Sequence, residues 1–281
     1  MIDLDQLIEQ ANALAPLPAS AVRLAELVGD PECPLDEVVE LIAFDQALTL
    51  KMLRAANSAA SAAAQPVSTV RDSVLRMGTA QVLALAIAAG ARPLLQPRIP
   101  AYGLGEGALW RHSVAAAVAT EAMQALGEFP VPPEAFTAAL LHDVGKLVLG
   151  RFLTPEILGF IRRAQEADHL GQLDAESLLL EANHAELGGL IAQHWKLPPR
   201  IVLGITYHHH PEEGRDAVCD LTCLADQYAK SIEASLDARR GELAVAPDLA
   251  ARLGLAPAAA ERLGPLALAR YAQVRSRYNA V

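Results

Sequence analysis

Apolar residues recur at intervals of three and four along most of this chain, and Pro or Gly interrupts them every few turns. That is the signature of many amphipathic helices in succession. Val22, Leu24, Leu27 and Val28 form one stripe, Val38, Val39, Leu41 and Ile42 a second, and Leu48, Leu50, Met52 and Leu53 a third. The breakers are Pro16 and Pro18, Gly29-Asp30-Pro31, Pro66, Gly78 and Gly90, and Thr69-x-x-Asp72 has the form of a helix N-terminal box. Composition points the same way. Hydrophobic residues make up 52% of the chain but aromatics only 4%, so Ala, Leu and Val carry the apolar content and bring helices close together. An all-α fold is expected.

A chain of 281 residues exceeds the usual size of one core and suggests two packed lobes. The Pro- and Gly-bearing stretch 93–107 is the expected connection, with an N-terminal helical lobe at 1–92, a second helical lobe at 108–236 and a C-terminal helical extension at 237–281. In the second lobe the pattern predicts longer helices over 108–126, 133–149, 154–167 with Pro155 in its first turn, and 174–195. Pro198-Pro199 opens another through Tyr207. A further helix is expected over 215–232, and the remainder reads as Ala- and Leu-rich helix broken at Gly254 and Gly264.

A formal charge of −10 argues against direct binding of DNA or RNA, which needs a basic footprint to release counterions. Met1-Ile2-Asp3-Leu4-Asp5 is acidic and does not read as a secretory signal. The apolar stretch from Val82 to Ala89 is far too short to span a bilayer. A cytoplasmic protein without a membrane anchor is expected. Cys33, Cys219 and Cys223 lack paired zinc spacing and read as reduced thiols, the latter two packed on one helix face.

Five of the eight histidines and two aspartates follow one another along the second lobe: His112, His142-Asp143, His184, His208-His209 and Asp226. Imidazole and carboxylate are the ligands of divalent Fe, Mn, Zn, Ni or Co, and a carboxylate can bridge two ions. Helical proteins build such sites where several helices converge. On a regular helix His142 and Asp143 lie roughly 100° apart, so both reach one pocket only if it lies between their directions. Gly145 allows close approach by a substrate or a neighbouring helix. Lys146 can meet a phosphate oxygen, or simply pair with Asp143 at i,i+3. Taken singly, each histidine is more often a core or surface residue satisfied by one hydrogen bond. His194 suits a helix C-terminus, His210 before Pro211 is expected in solvent, and His169 falls outside the group.

The segment Leu140-Leu141-His142-Asp143-Val144-Gly145-Lys146 strongly resembles the signature of HD-superfamily phosphohydrolases. Trp110-Arg111-His112-Ser113, His184-Ala185-Glu186-Leu187-Gly188, Trp195-Lys196-Leu197-Pro198 and Tyr207-His208-His209 resemble successive blocks of the HDOD branch. Leu17-Pro18, Ile42-Ala43-Phe44-Asp45, Leu53-Arg54-Ala55-Ala56-Asn57-Ser58 and Val74-Leu75-Arg76-Met77-Gly78 resemble its N-terminal half. The resemblance, over about residues 15–235, implies an HD-like helical bundle with an N-terminal helical lobe packed on it, used as a regulatory module in bacterial signalling. Related HD-GYP domains hydrolyse cyclic di-GMP at a multi-metal centre. Carried over, its ligands fall on His112, His142, Asp143, His184, His208, His209 and Asp226, with Asp143 and Lys146 as catalytic candidates. Two departures stand out. After His210 the chain reads Pro211-Glu212-Glu213-Gly214-Arg215, without the Gly-Tyr-Pro triplet, and Asp45 is followed by Gln46 where proline is common.

Three functions fit these observations. The favoured one is a non-catalytic signalling module that recognises a protein partner or a nucleotide. The second is a metal-dependent phosphohydrolase or phosphodiesterase acting on a nucleotide, with a divalent transition metal as cofactor. The third is a metal-held knot that ties helices together. Sequence leaves the oligomeric state open.

Overall fold

The computed structural model describes residues 4–28, 30, 32–57, 67–168, 171–236 and 245–278. Gly29, Pro31, Pro66 and His169 therefore lie outside the described residues, as does the start of the N-terminal segment. Every regular element described is helical, and the fold is all-α as expected. The one β-type pairing among these residues is an isolated bridge between Ile99 and Leu104. No single helix among the described residues is long and apolar enough to cross a membrane.

The chain divides into two compact units. The larger comprises Met1–Leu14, Leu95–His194 and Pro199–Val281, and opens with α1 (Leu4–Asn12). The smaller, Ala15–Leu94 with Trp195–Pro198, holds α2 (Ala19–Val28), α3 (Leu35–Ala43), α4 (Gln46–Ala56), α5 (Val70–Met77) and all but the last residue of α6 (Thr79–Leu95).

Local chemistry starts and stops the helices of the smaller unit. Thr69 caps α5, its hydroxyl accepting from the Asp72 amide at 3.1 Å and donating to the Asp72 carboxylate at 2.6 Å. Gly78 ends α5 at φ +80°, a conformation open to glycine. Asp45 caps α4 by accepting from the Leu48 amide at 2.9 Å, and its other oxygen accepts the Ser20 hydroxyl at 2.6 Å. Gly90 behaves differently from the expected breaker. α6 runs through it, and a Cβ there would stand 2.5 Å from Cδ of Pro18. The glycine serves contact between segments rather than a turn.

The larger unit continues through a short 3-10 turn, Pro100–Tyr102, into α7 (Ala108–Leu126), α8 (Glu134–Leu141), α9 (Lys146–Phe152) and α10 (Pro155–Asp168). Then come α11 (Gln172–Leu180), α12 (His184–His194), α13 (Pro199–Thr206) and α14 (Pro211–Gly214), followed by α15 (Ala217–Leu236), α16 (Pro247–Leu253) and α17 (Pro257–Tyr278). α7 packs against α8, α15 and α17. It can do so closely because it offers Ala115, Ala116, Ala119 and Ala122 to Leu221, Leu224 and Tyr228 of α15. Leu249, Leu253, Leu263 and Tyr271 of the last two helices complete this core.

Three expected helix boundaries are corrected. The helix foreseen over 133–149 is two, α8 and α9, separated by turns at residues 142–145. The helix foreseen over 174–195 is also two, α11 and α12, separated at Glu181, which adopts φ +56°. The break foreseen at Gly264 does not occur, since α17 passes through Gly264-Pro265. Packing against α7 and α15 holds it, and the Tyr228 hydroxyl donates to the Ala260 carbonyl at 3.1 Å.

The cap at Asp45 yields a test. The Ser20 and Leu48 hydrogen bonds hold its carboxyl below its ordinary value. Its stabilisation is therefore complete above the unfolded-state value and is lost as pH falls through the lower folded one. Asp45→Ala is expected to reduce unfolding free energy by about 1 kcal/mol near neutral pH, with a smaller deficit in acid. Urea unfolding of wild type and variant in both conditions checks this, and an equal deficit at both pH values contradicts it.

Candidate metal centre

Two interruptions of the helical pattern place the site's central residues. Between α8 and α9 the chain makes tight turns, with amide-to-carbonyl bonds from Val144 to Leu141 at 2.9 Å and from Lys146 to Asp143 at 3.0 Å. These are three-residue steps, so successive side chains advance by more than on an α-helix. The angular spacing expected for His142 and Asp143 on a regular helix is replaced accordingly. Between α11 and α12, Asn183 caps the helix that begins at His184. Its side-chain oxygen accepts from the amides of Ala185 and Glu186, both at 3.0 Å, while Glu186 accepts from the Asn183 amide at 3.2 Å. This is a reciprocal capping pair. The signal Asn183-x-x-Glu186 was present in the sequence and was missed.

Gly145 locks these two segments together. A Cβ at that position would lie 2.0 Å from the His184 carbonyl oxygen and 2.7 Å from the Gly188 amide nitrogen. Of the two uses foreseen for this glycine, close approach of a neighbouring helix is the one seen.

The structure brings all seven candidate ligands into one buried cluster around Asp143. Toward its Oδ2 lie His142 Nε2 at 3.5 Å and His112 Nε2 at 3.6 Å. Toward its Oδ1 lie His184 Nε2 at 3.3 Å and His208 Nε2 at 3.9 Å. Asp226 Oδ1 stands 3.1 Å from His112 Nε2 and 3.6 Å from His142 Nε2. His209 Nε2 joins the other side, 3.1 Å from His184 Nε2. The two carboxylate oxygens of Asp143 thus address separate groups: His112, His142 and Asp226 on one side, His184, His208 and His209 on the other.

The ring nitrogens away from the centre are tethered. Nδ1–H of His142 donates to the Ala139 carbonyl and that of His208 to the Ile205 carbonyl, both at 2.7 Å. His184 Nδ1 donates to Glu176 at 2.7 Å, and His112 Nδ1 lies 3.2 Å from Glu233. A proton fixed on Nδ1 leaves Nε2 as the inward lone pair. His208 Nε2 is buried and has no hydrogen-bond partner among the described residues, an unusual cost for a buried polar atom unless something else satisfies it.

Charge at the centre is divided. Burial raises the carboxyls of Asp143 and Asp226, but Lys146 and His142 next to the first and His112 and His142 next to the second hold both well below their ordinary value. Burial also lowers His112 and His142, yet hydrogen bonds and attraction from these carboxylates, with Glu233 at His112, leave both raised. On the other side, burial and neighbouring imidazoles push His208 well down and His209 to about 3. Lys146 Nζ sits 2.5 Å from Asp143 Oδ2, and Lys230 Nζ 2.5 Å from Asp226 Oδ2. The i,i+3 pairing considered for Lys146 is therefore formed.

This donor set fits divalent transition metal: imidazole Nε2 atoms aimed inward, two ionised carboxylates and, among the described residues, one buried nitrogen without a partner; at His112 and His142 a cation would take the place of the Nε2 proton. The groups His112–His142–Asp226 and His184–His208–His209 each bring their donor atoms within 4.8 Å of one another. Asp143 is placed to serve both. His194 is exposed at the end of α12, and His210 is exposed, 3.7 Å from Glu212. The three cysteines are free, and only Cys219 is fully buried. Sequence reasoning missed Tyr102, Glu176, Lys230 and Glu233. Lys230 alone carried a local signal, standing at i,i+4 from Asp226.

The family model of the HDOD domain matches residues 14–211. An uncharacterised protein from Treponema pallidum is 24% identical over 210 residues, which cover 73% of this chain and 40% of the relative. The chain thus spans about two fifths of the length of the curated relative it matches. Among solved structures, an inferred phosphohydrolase from Shewanella amazonensis aligns with TM-score 0.59 at 26% identity, covering 93% of this chain and 97% of its own. An inferred signal transduction protein from Marinobacter aquaeolei aligns with TM-score 0.69 at 22% identity, covering 98% of this chain and 64% of its own.

The contact at Gly145 yields a paired prediction. Gly145→Ala is expected to destabilise by about 1–3 kcal/mol or more, because backbone must move. Gly159→Ala in α10, where a Cβ meets nothing within 4 Å, is expected to stabilise by about 0.5–1 kcal/mol. Urea denaturation of both checks the contrast, and similar midpoints would contradict the packing role.

Proposed function

We propose that this chain, which belongs to the HDOD domain family, is a bacterial signal-transduction module whose His/Asp cluster holds divalent transition metal. Its output in this reading is recognition of a protein partner or a nucleotide rather than turnover. The observation that carries the metal part is the inward convergence of five imidazole Nε2 atoms with the buried carboxylates of Asp143 and Asp226. The signalling part rests on family membership, and the Marinobacter protein of the same fold is named for signal transduction.

His112, His142 and Asp226 would hold one ion and His184, His208 and His209 the other, with Asp143 between them. The chain after His209 favours binding over catalysis in this reading. Where HD-GYP relatives carry a Gly-Tyr-Pro loop, it forms the four-residue helix α14. Lys146, already drawn to the cluster by Asp143, is placed to meet a phosphate oxygen of a bound nucleotide.

A second reading, a metal-dependent phosphohydrolase acting on a nucleotide, is favoured by one specific observation. The two oxygens of Asp143 address two separate donor groups, as a carboxylate shared by two ions would. Ions bound at such a site acidify a water and polarise phosphoryl oxygens. In that case Asp143 and Lys146 are the residues nearest the chemistry. The Shewanella relative is named as an inferred phosphohydrolase.

Metal content of untagged protein tests the metal centre, and turnover of nucleotide phosphodiesters separates the two readings. Wild type is expected to carry about two transition-metal ions per chain, and Asp143→Ala to lose them. Binding of nucleotide phosphodiesters without turnover supports the signalling module. Turnover abolished in Asp143→Ala favours the hydrolase instead, and no bound metal after addition of Mn, Fe or Ni overturns the metal centre.

A further inference from the structure

We propose that Glu176 is a positioning residue of the cluster, a buried carboxylate that, held by Tyr102 and Gln172, fixes His184 with Nε2 turned toward Asp143. As far as metal is concerned, this rests on the reading of the cluster given above.

Glu176 lies on α11, has no exposed surface, and among the described residues forms no ion pair with Lys or Arg. A carboxylate in that position is unfavourable unless its oxygens are fully engaged. They are. Oε2 accepts from His184 Nδ1 at 2.7 Å and from the His184 amide at 3.0 Å. Oε1 accepts from the Tyr102 hydroxyl at 2.9 Å and from Gln172 Nε2 at 3.0 Å. Four bonds account for the four acceptor directions of a carboxylate.

A structural clip between α11 and α12 needs only the bond to the His184 amide, an unpaired donor at a helix start. The bond to Nδ1 does something further. It holds the proton on that nitrogen and leaves Nε2 bare, 3.3 Å from Asp143 Oδ1 and 3.1 Å from His209 Nε2. His142 and His208 obtain the same tautomer from carbonyls three residues back on their own segments. His112 obtains it from Glu233, whose side chain is 41% exposed. His184 relies on a wholly buried charge supplied by another helix. A carboxylate there strengthens the imidazole as a donor to a cation at Nε2, which a neutral acceptor does less well.

Tyr102 extends the arrangement outward. It sits in the 3-10 turn within the stretch first read as a connection, packs edge-on to His184 with ring centroids 6.4 Å apart, and has Lys146 Nζ 5.6 Å from its own centroid. One tyrosine thus touches the positioning carboxylate, the ligand it orients and the lysine beside Asp143.

The test uses the full chain, with Glu176→Gln and Glu176→Leu. Side-chain nitrogen NMR of metal-free protein is expected to show His184 as the Nδ1–H form in wild type and to show that form depleted in Glu176→Leu. Glu176→Gln keeps an acceptor and nearly the same shape. Two of the four donors then face its NH2, so a lowered urea midpoint is expected, together with Co(II) binding by the folded protein, followed by calorimetry, that is about tenfold to a hundredfold weaker. The proposal is overturned by an unchanged His184 tautomer in Glu176→Leu, or by wild-type Co(II) affinity in Glu176→Gln. If wild type itself binds no Co(II), the metal reading fails, and the tautomer comparison alone decides whether Glu176 positions His184.

Discussion

A single buried carboxylate, Asp143, organises the larger unit. Removing such a group from water is costly unless opposite charge and hydrogen-bond donors surround it. Here four imidazoles approach it, two toward each oxygen, and Lys146 meets Oδ2 as well. Those partners come from α7, the α8–α9 turn, the start of α12 and the segment after α13. The helices must converge at this point for the charge to be tolerated, which makes the cluster an architectural constraint as well as a chemical one.

Close convergence needs backbone without side chains in the way. Gly145 meets the first turn of α12, and Gly204 of α13 stands where a Cβ would be 2.7 Å from Ala138 of α8 and from Val218 of α15. The alanines of α7 serve the same end on the opposite flank. A core built from small residues lets backbone segments bring their ligands within a few ångströms of one another, which bulkier packing would prevent. Around the ligands, a second set of contacts decides orientation. Backbone carbonyls hold His142 and His208, and carboxylates hold His112 and His184, so the inward nitrogens are settled before anything binds.

Both helix breaks that the apolar pattern did not show occur at this site. The apolar pattern runs unbroken through 133–149 and 174–195, yet each stretch is interrupted next to a cluster residue. At 142–145 the tight turn re-aims His142 and Asp143. At 181–184 the cap by Asn183 sets His184 at a helix start, where its amide and its ring both reach Glu176. The hydrophobic period reports which face is buried and is silent about a local change of pitch. Gly90 and Gly264 err in the other direction: each reads as a breaker and lies inside a helix, because packing outweighs a propensity worth about 1 kcal/mol.

The sequence by itself determined the all-α class, the cap at Thr69, and the identity of the six residues that gather around Asp143. The first two follow from local spacing, and the third from the order of histidines and aspartates along the chain together with the family resemblance. Only the tertiary structure decided how the six divide between the two oxygens of Asp143, that Gly145 admits a helix, and that Glu176 and Tyr102 stand behind His184. Tyr102 and Glu176 are 74 positions apart, and hydrogen bonds over such separations arise from packing, which leaves no periodic trace in a chain.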